Sequence, residues 1–216
     1  MSNRIDTLIR PDRGNYIQTH TGLRFYPLDP QPEDICIEDI AHALSNICRF
    51  TGHTKHFYSV AQHSYYVSHQ VPQEHALAAL LHDASEAYIS DVSKPVKELG
   101  VMGAYKQIEH LIMQAIAQKF GIQYPFHESI KEADERMLFT EKRDLLPPMD
   151  WGWTREPYKE EVIAFSPIHA EIEFLKRFYE LTNTQPENPR WERDKRNAEI
   201  ENIMKRIVFT DEPIKP

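Results

Sequence analysis

Apolar side chains recur every three or four positions along several stretches of this chain, which is the spacing of an amphipathic α-helix. The stretches that fit this spacing lie at about 33–47, 60–71, 72–92, 104–120, 127–146 and 167–181. Proline and glycine fall mainly between them: Gly52 interrupts the pattern after the first stretch, and Gly121 is placed to cap the fourth. The pattern predicts an all-α fold.

Serine stands at the predicted start of three of these helices. Ser59 is a predicted N-cap for the second helix, and Ser166 followed by Pro167 opens the last one. Ser129 and Glu132 have the spacing of a capping box in the helix at 127–146. The predicted helix starts therefore rest on cap residues as well as on periodicity.

Three segments are expected along the chain. Residues 1–32 are rich in proline and glycine and predict an extended N-terminal arm with a short hairpin. Residues 33–183 hold the predicted helical domain. Residues 184–216 predict a linker and a charged C-terminal helix, which is a candidate to pair with a partner subunit, so we expect a homo-oligomer.

The composition narrows the classes of protein that fit. With 216 residues and 41% apolar content the chain can fill a core, and no apolar run approaches the roughly 20 residues that span a bilayer. Two cysteines form no disulfide framework, and we expect a cytoplasmic location. The formal charge of −8 argues against a nucleic-acid partner, but it leaves room for an anionic small molecule near a bound cation.

One segment departs from the ordinary helix pattern. "LLHDASEAYISD" follows the apolar run "ALAALL" with His82, Asp83, Glu86 and Asp91. On a helix, Asp83 and Glu86 share a face because they lie three residues apart. Buried charges need compensation, so the segment predicts either a salt bridge or a bound metal ion.

Two further residues would complete a metal site. His63 lies on the preceding predicted helix and Asp134 on a later one. Two imidazoles and two carboxylates suit one divalent transition metal such as Zn²⁺, Mn²⁺, Co²⁺ or Fe²⁺. Helical bundles commonly build metal sites from facing helices in this way.

The order H…HD…D, formed by His63, His82-Asp83 and Asp134, resembles the HD-domain metal-dependent phosphohydrolases. The segments "RF…SVAQHS", "LLHDASEAYISDVSKPVK" and "KEAD" are similar to the bacterial 5′-deoxynucleotidase branch. The opening "YIQTHTGLRFYPLDPQPEDICIEDIAHALSNICRFTGH" is more similar to the branch that includes the oxetanocin-pathway phosphohydrolase and phage dATP triphosphohydrolases. The resemblance covers about residues 16–146 and implies an HD-domain helical bundle.

The resemblance also implies roles for individual residues. The metal ligands would be His63, His82, Asp83 and Asp134. Glu86 and Asp91 would be catalytic, near the attacking water and the leaving oxygen. The substrate contacts would be Arg49, Lys97 and Lys131 at phosphate and Phe50 at the sugar or base. The spacing from Arg49 to His63 is one residue shorter than in the deoxynucleotidase pattern.

Three functions stay open on the sequence. The N-terminal arm favours a dNTP triphosphohydrolase, with dATP as the first substrate to test, that releases nucleoside and triphosphate. The alternative is a 5′-deoxynucleotidase acting on dNMPs. The candidate from another class is a nucleotide sensor that binds without turnover. In each case the expected partner is a deoxynucleotide.

Overall fold

Helices dominate the part of the chain that the computed structural model describes, which is residues 13–150, 152 and 154–185. In that part the elements are β1 Ile17–Gln18, β2 Arg24–Phe25, α1 Ile37–Asn46, α2 Val60–Ser68, α3 Ala76–Leu80, α4 Glu86–Ile89, α5 Lys94–Lys97, α6 Gly103–Phe120, α7 Glu128–Leu145 and α8 Pro167–Thr182. The class is all-α, as the periodicity predicts. Of these helices, none is long and apolar enough to cross a membrane. The predicted tail helix lies outside the described residues.

The N-terminal arm contains the predicted short hairpin. β1 pairs antiparallel with β2, and Gly22 takes a left-handed conformation (φ +91°) in the turn between them. Phe25 is fully buried and stacks on Tyr88 of α4 with ring centroids 3.6 Å apart. The turn also holds Asp39 of α1, which accepts hydrogen bonds from the backbone N–H and the hydroxyl of Thr21. The arm is therefore fastened to the helices.

The main core lies between α1, α2, α3, α6 and α8. The apolar faces of these helices bury large aliphatic and aromatic side chains against one another, including Ile40, Leu44, Val60, Leu80 and Phe174. α7 packs on the other side of α2 and contributes to a second buried cluster with Ile130, Ala133 and Met137. α2 therefore lies between two apolar clusters, and its polar side chains are buried with it.

The serine caps are confirmed at two of the three predicted helix starts. Ser59 accepts a hydrogen bond from the backbone N–H of Gln62, and Ser166 accepts one from His169. The capping box at Ser129 is wrong, because α7 begins at Glu128 and its N-cap is His127, two residues before Ser129. The His127 ring accepts the backbone N–H of Ser129, which leaves that serine inside the first turn.

The prediction of one helix over 72–92 is also wrong. The segment is divided into a 3-10 turn, α3 and α4, and a series of tight turns joins α3 to α4. In these turns the backbone N–H of Glu86 donates to Asp83 and that of Tyr88 donates to Ser85, both three residues back. His82 and Asp83 thus lie in a break between two helices.

We expect Ser59→Ala to reduce the free energy of unfolding by about 1 kcal/mol, because it leaves a buried backbone N–H of α2 without its acceptor. Urea denaturation followed by circular dichroism measures this change. Ser129→Ala is the matched control and should cost much less, since Ser129 does not cap α7. Equal losses in the two variants would contradict the assignment of the caps.

Candidate metal centre

His63 is the most deeply placed residue of the candidate site. It lies in the first turn of α2 and its side chain is fully buried. Nδ1 donates to Glu141 Oε1 at 2.5 Å, while Nε2 has no hydrogen-bond partner among the described residues. Nε2 lies 3.1 Å from Asp134 Oδ1 and 3.8 Å from Asp83 Oδ2. One nitrogen of the ring is thus anchored, and the other faces two carboxylates.

His82 presents its ring in the same way. Its Nδ1 donates to the backbone carbonyl of Ala79 at 2.7 Å. Its Nε2 is buried, and nothing in the described ranges hydrogen-bonds to it. It lies 3.3 Å from Asp83 Oδ2 and 3.9 Å from Asp134 Oδ1. Because an acceptor holds the Nδ1 proton in both rings, the lone pair of the neutral imidazole lies on Nε2.

The four predicted ligands converge from α2, the α3–α4 break and α7. His63, His82 and Asp83 each offer one ligand atom, and these three atoms lie within 4.8 Å of one another. The carboxylate of Asp134 faces the same nitrogens. A set of two imidazole nitrogens and two carboxylate oxygens fits a borderline divalent cation. Two buried nitrogens without partners are the feature that such a cation would satisfy.

The local charge also favours a cation. Burial and Arg49 lower the pKa of His63, but Glu141 and Asp134 outweigh them and raise it to about 9. In the absence of metal, the acids therefore hold an extra proton on this ring at neutral pH. A divalent ion would displace that proton, since a ligating imidazole must be neutral.

Glu141 and Tyr58 form a second layer of the site that the sequence analysis missed. The Glu141 side chain is fully buried, and Oε1 accepts from Tyr58 at 2.9 Å as well as from His63. Glu141 lies two helical turns beyond Asp134 on α7, in line with the buried residues Ala133 and Met137. An acid in the apolar stripe of an otherwise charged helix is the signal that could have identified it.

Arg49 reaches the cluster from the loop before α2. Its Nη1 donates to Asp83 Oδ2 at 3.5 Å, and its Nε donates to Glu141 Oε2 at 3.2 Å. Phe50 follows it, with the Arg49 guanidinium 5.7 Å from the ring centroid. Phe50, Thr51 and Gly52 all have positive φ values, between 53° and 78°, which is strained for the first two. The strained turn carries the predicted phosphate and sugar contacts.

Glu86 is buried beside the ligands, at the first position of α4. Its Oε1 accepts from Lys97 at 3.1 Å, and its Oε2 has no partner within the described part of the protein. Burial raises the pKa of Glu86 to about 9, and the charges of Asp83 and Asp91 add to this effect. Asp91 is half-buried, and burial raises its pKa as well. Burial thus raises the pKa of both candidate catalytic acids.

The two predicted phosphate-binding lysines are placed differently from each other. Lys97 lies between two acids, 3.1 Å from Glu86 and 3.0 Å from Glu109, so its ammonium is already engaged. Lys131 lies on the outer face of α7 with 65% of its side chain exposed, 3.9 Å from Glu128. The structure therefore joins Lys97 to the centre through Glu86 and leaves Lys131 at the surface.

Comparison with known proteins gives a family for the chain. It is 42% identical over 175 residues to the uncharacterized protein YfdR of Escherichia coli strain K12, which covers 78% of this chain and 96% of YfdR. The chain belongs to the YfdR family. It is also 37% identical over 127 residues to the uncharacterized protein RCAP_rcc00048 of Rhodobacter capsulatus, over 53% of this chain and 64% of that protein. No family model matches the chain.

In this YfdR-family chain we expect purified protein to hold about one divalent transition metal ion, measured by mass spectrometry of the metal content. Asp83→Ala should lose the ion because it removes a charged ligand that lies beside both histidines. Asp150→Ala is the control, since Asp150 is an exposed acid that accepts a hydrogen bond from the backbone N–H of Gly152. Full metal content in Asp83→Ala would contradict the assignment.

Proposed function

We propose that this chain is an HD-domain metal-dependent phosphohydrolase that cleaves deoxynucleoside 5′-phosphates at the α-phosphorus. The observation that carries the proposal is the pair of buried Nε2 atoms of His63 and His82, which have no hydrogen-bond partner in the described ranges and face Asp83 and Asp134. The resemblance to HD-domain phosphohydrolases rests on these same four residues. In this proposal the helical bundle is an HD domain.

The ion would be held by His63, His82, Asp83 and Asp134. When bound, it supplies Lewis acidity to the phosphoryl group and lowers the pKa of the attacking water. The protein's part is to keep the ligands fixed. The acceptors Glu141 and Ala79 do this for the two rings by holding the Nδ1 protons.

Glu86 is the proposed proton acceptor. Lys97 holds one of its oxygens, and the other oxygen is free to take a proton from the attacking water. Burial and the neighbouring acids Asp83 and Asp91 raise the pKa of Glu86. A cation bound at Asp83 would therefore lower this pKa and favour the carboxylate form of Glu86. Asp91 is the proposed donor to the leaving oxygen, a role that its raised pKa suits.

Arg49 is the proposed contact to the reacting phosphate. It is mostly buried, and its guanidinium already lies against Asp83 Oδ2. A phosphoryl oxygen near the ligands would therefore lie within reach of a fixed cation, which stabilises charge on the equatorial oxygens. Phe50, the next residue, would lie against the sugar or the base.

The favoured substrate is a dNTP, with dATP first, because the N-terminal arm resembles the triphosphohydrolase branch. Water would add to the α-phosphorus and the bond to the 5′ oxygen would break, which gives deoxynucleoside and triphosphate. The alternative is a dNMP, which would give deoxynucleoside and orthophosphate. A non-catalytic sensor is disfavoured, because a sensor does not need an acid like Glu86, buried with a free oxygen beside the ligands.

The test is a panel of the four dNTPs and four dNMPs, supplied with Mn²⁺, Co²⁺ or Zn²⁺, with products separated by chromatography. We expect triphosphate to be released in one step without dNDP. Glu86→Gln should keep the metal but lose about 10²-fold or more in turnover, the scale of losing a general acid-base group.

Glu109→Gln is the matched control for Glu86→Gln, because Glu109 holds the same lysine from the other side. It should keep most of the turnover. Sequential dNDP and dNMP would contradict attack at the α-phosphorus, and hydrolysis of dNMPs alone would favour the deoxynucleotidase alternative. Binding of nucleotide by a metal-loaded protein without any product would favour the sensor.

A variant at Lys131 would distinguish triphosphate from monophosphate substrates. Lys131 lies one helical turn before Asp134 and is exposed, and we propose that it contacts the outer phosphates of a dNTP. Lys131→Ala should raise KM for dNTPs about twofold to fivefold, the scale of an exposed charge contact, and leave KM for dNMPs unchanged. Lys176→Ala on α8 is the control, since it too is exposed and pairs with a glutamate three residues away. An equal change in KM in the two variants would show that Lys131 does not contact the substrate.

A further inference from the structure

The Glu141 carboxylate uses its two oxygens in two different directions. Oε1 accepts from His63 Nδ1 and from the Tyr58 hydroxyl, and Oε2 accepts from Arg49 Nε. Arg49 Nη2 also lies 3.2 Å from Oε2. One oxygen therefore faces a proposed metal ligand, and the other faces the proposed phosphate contact.

We infer that Glu141 is a positioning residue that couples the metal half of the site to its phosphate half. This inference rests on the proposed function and extends it to a residue that touches neither the metal nor the substrate. Glu141 would keep the lone pair of His63 on Nε2 and keep Arg49 turned toward Asp83. Loss of Glu141 should thus disturb metal binding and substrate binding together.

The burial of Glu141 supports this role over simple structural pairing. Its side chain is fully buried, where an acid is costly unless hydrogen bonds and a cation compensate it. The donors come from residues 78, 83 and 92 positions away in sequence. Of these three, His63 and Arg49 also lie against the carboxylate of Asp83. Glu141 is thus hydrogen-bonded to two residues, His63 and Arg49, that both also lie beside Asp83.

Only a carboxylate satisfies both sides of this arrangement. An amide has one accepting oxygen and one donating NH₂ group. If the oxygen of a Gln faced His63, its NH₂ would meet the guanidinium of Arg49, donor against donor. If the NH₂ faced His63, the Nδ1 would have to accept, and the proton would move to Nε2. The second arrangement removes the lone pair from the metal side of the ring.

The experiment compares wild type with Glu141→Gln, both stripped of metal by chelation. Calorimetric titration measures the affinity for Co²⁺ and Zn²⁺, and steady-state kinetics give kcat and KM for dATP. We expect the metal affinity to fall about 10- to 100-fold, the usual scale for the partner of a metal-bound histidine, and KM to rise about tenfold with the loss of Arg49 positioning. A metal affinity or a KM within twofold of wild type would overturn the inference.

Glu171→Gln is the matched control. Glu171 is also buried, lies on α8 and pairs at 3.1 Å with the Nδ1 of His42, a histidine that is not a proposed metal ligand. The same chemical change there should leave the metal affinity and KM unaltered. Losses equal to those of Glu141→Gln would show a general effect of removing a buried acid and would overturn the specific role.

Two further measurements keep the inference testable if the first variant fails. If Glu141→Gln does not fold, Tyr58→Phe takes its place, because it removes one hydrogen bond to Glu141 Oε1 and keeps the charge of the carboxylate. We expect Tyr58→Phe to weaken metal binding about twofold to tenfold. No change in Tyr58→Phe would then overturn the inference.

Nitrogen-15 NMR of the imidazoles at alkaline pH reports the His63 tautomer without metal or substrate. A proton that lies on His63 Nδ1 in wild type and moves to Nε2 in Glu141→Gln supports the role even if no nucleotide is hydrolysed. An unchanged tautomer, with unchanged metal affinity and KM, opposes it.

Discussion

Two buried imidazole nitrogens that point at two carboxylates are the constraint on which the site depends. His63 Nε2 and His82 Nε2 have no hydrogen-bond partners within the described residues, and the polar atoms that they face, at 3.1 and 3.3 Å, are carboxylate oxygens of Asp134 and Asp83. The other nitrogen of each ring is held by an acceptor, so the rings cannot turn to satisfy both. The arrangement is explained if a cation fills the space that the two nitrogens and two carboxylates face.

The break between α3 and α4 makes this arrangement possible. In a regular α-helix, consecutive side chains point about 100° apart, so adjacent ligands would face different directions. The tight turns at 81–85 bring His82 Nε2 to 3.3 Å from Asp83 Oδ2. The same turns place Glu86 at the start of α4, where its side chain is buried beside the ligands. A short irregular segment thus supplies two ligands and the proposed proton acceptor.

Local chemistry made part of this structure predictable from the sequence. Periodicity predicted most of the helices, though not the division of 72–92 into α3 and α4. Ser59 and Gly121 act at the predicted helix ends because caps depend on neighbouring backbone groups. The residue types of the ligands, with a family resemblance, indicated which side chains belong together.

What the sequence missed depends on contacts between distant residues. Glu141 lies in the apolar stripe of α7, but the sequence does not indicate its partner. The packing of α7 against α2 brings it to His63, 78 residues away. The capture of Lys97 by Glu86 and Glu109 likewise depends on how α5 meets α6. The left-handed turn at Phe50 and Thr51 has no signal in residue type, since neither residue favours positive φ.

The pairing of charges around the centre bears on the order in which a metal ion and a phosphate would bind in the proposed reaction. In the described part of the protein, the carboxyl groups near the centre outnumber the fixed cations; the acids are Asp83, Glu86, Asp91, Asp134 and Glu141, and the cations are Arg49 and Lys97. Both cations are already paired with these acids, so a phosphate that approached the metal-free site would find neither cation unpaired. A divalent ion would add positive charge and would compete with Arg49 for Asp83 Oδ2, the oxygen that faces the guanidinium and both histidines. The guanidinium would then be available to an anion, and phosphate binding in the proposed reaction would depend on prior metal binding.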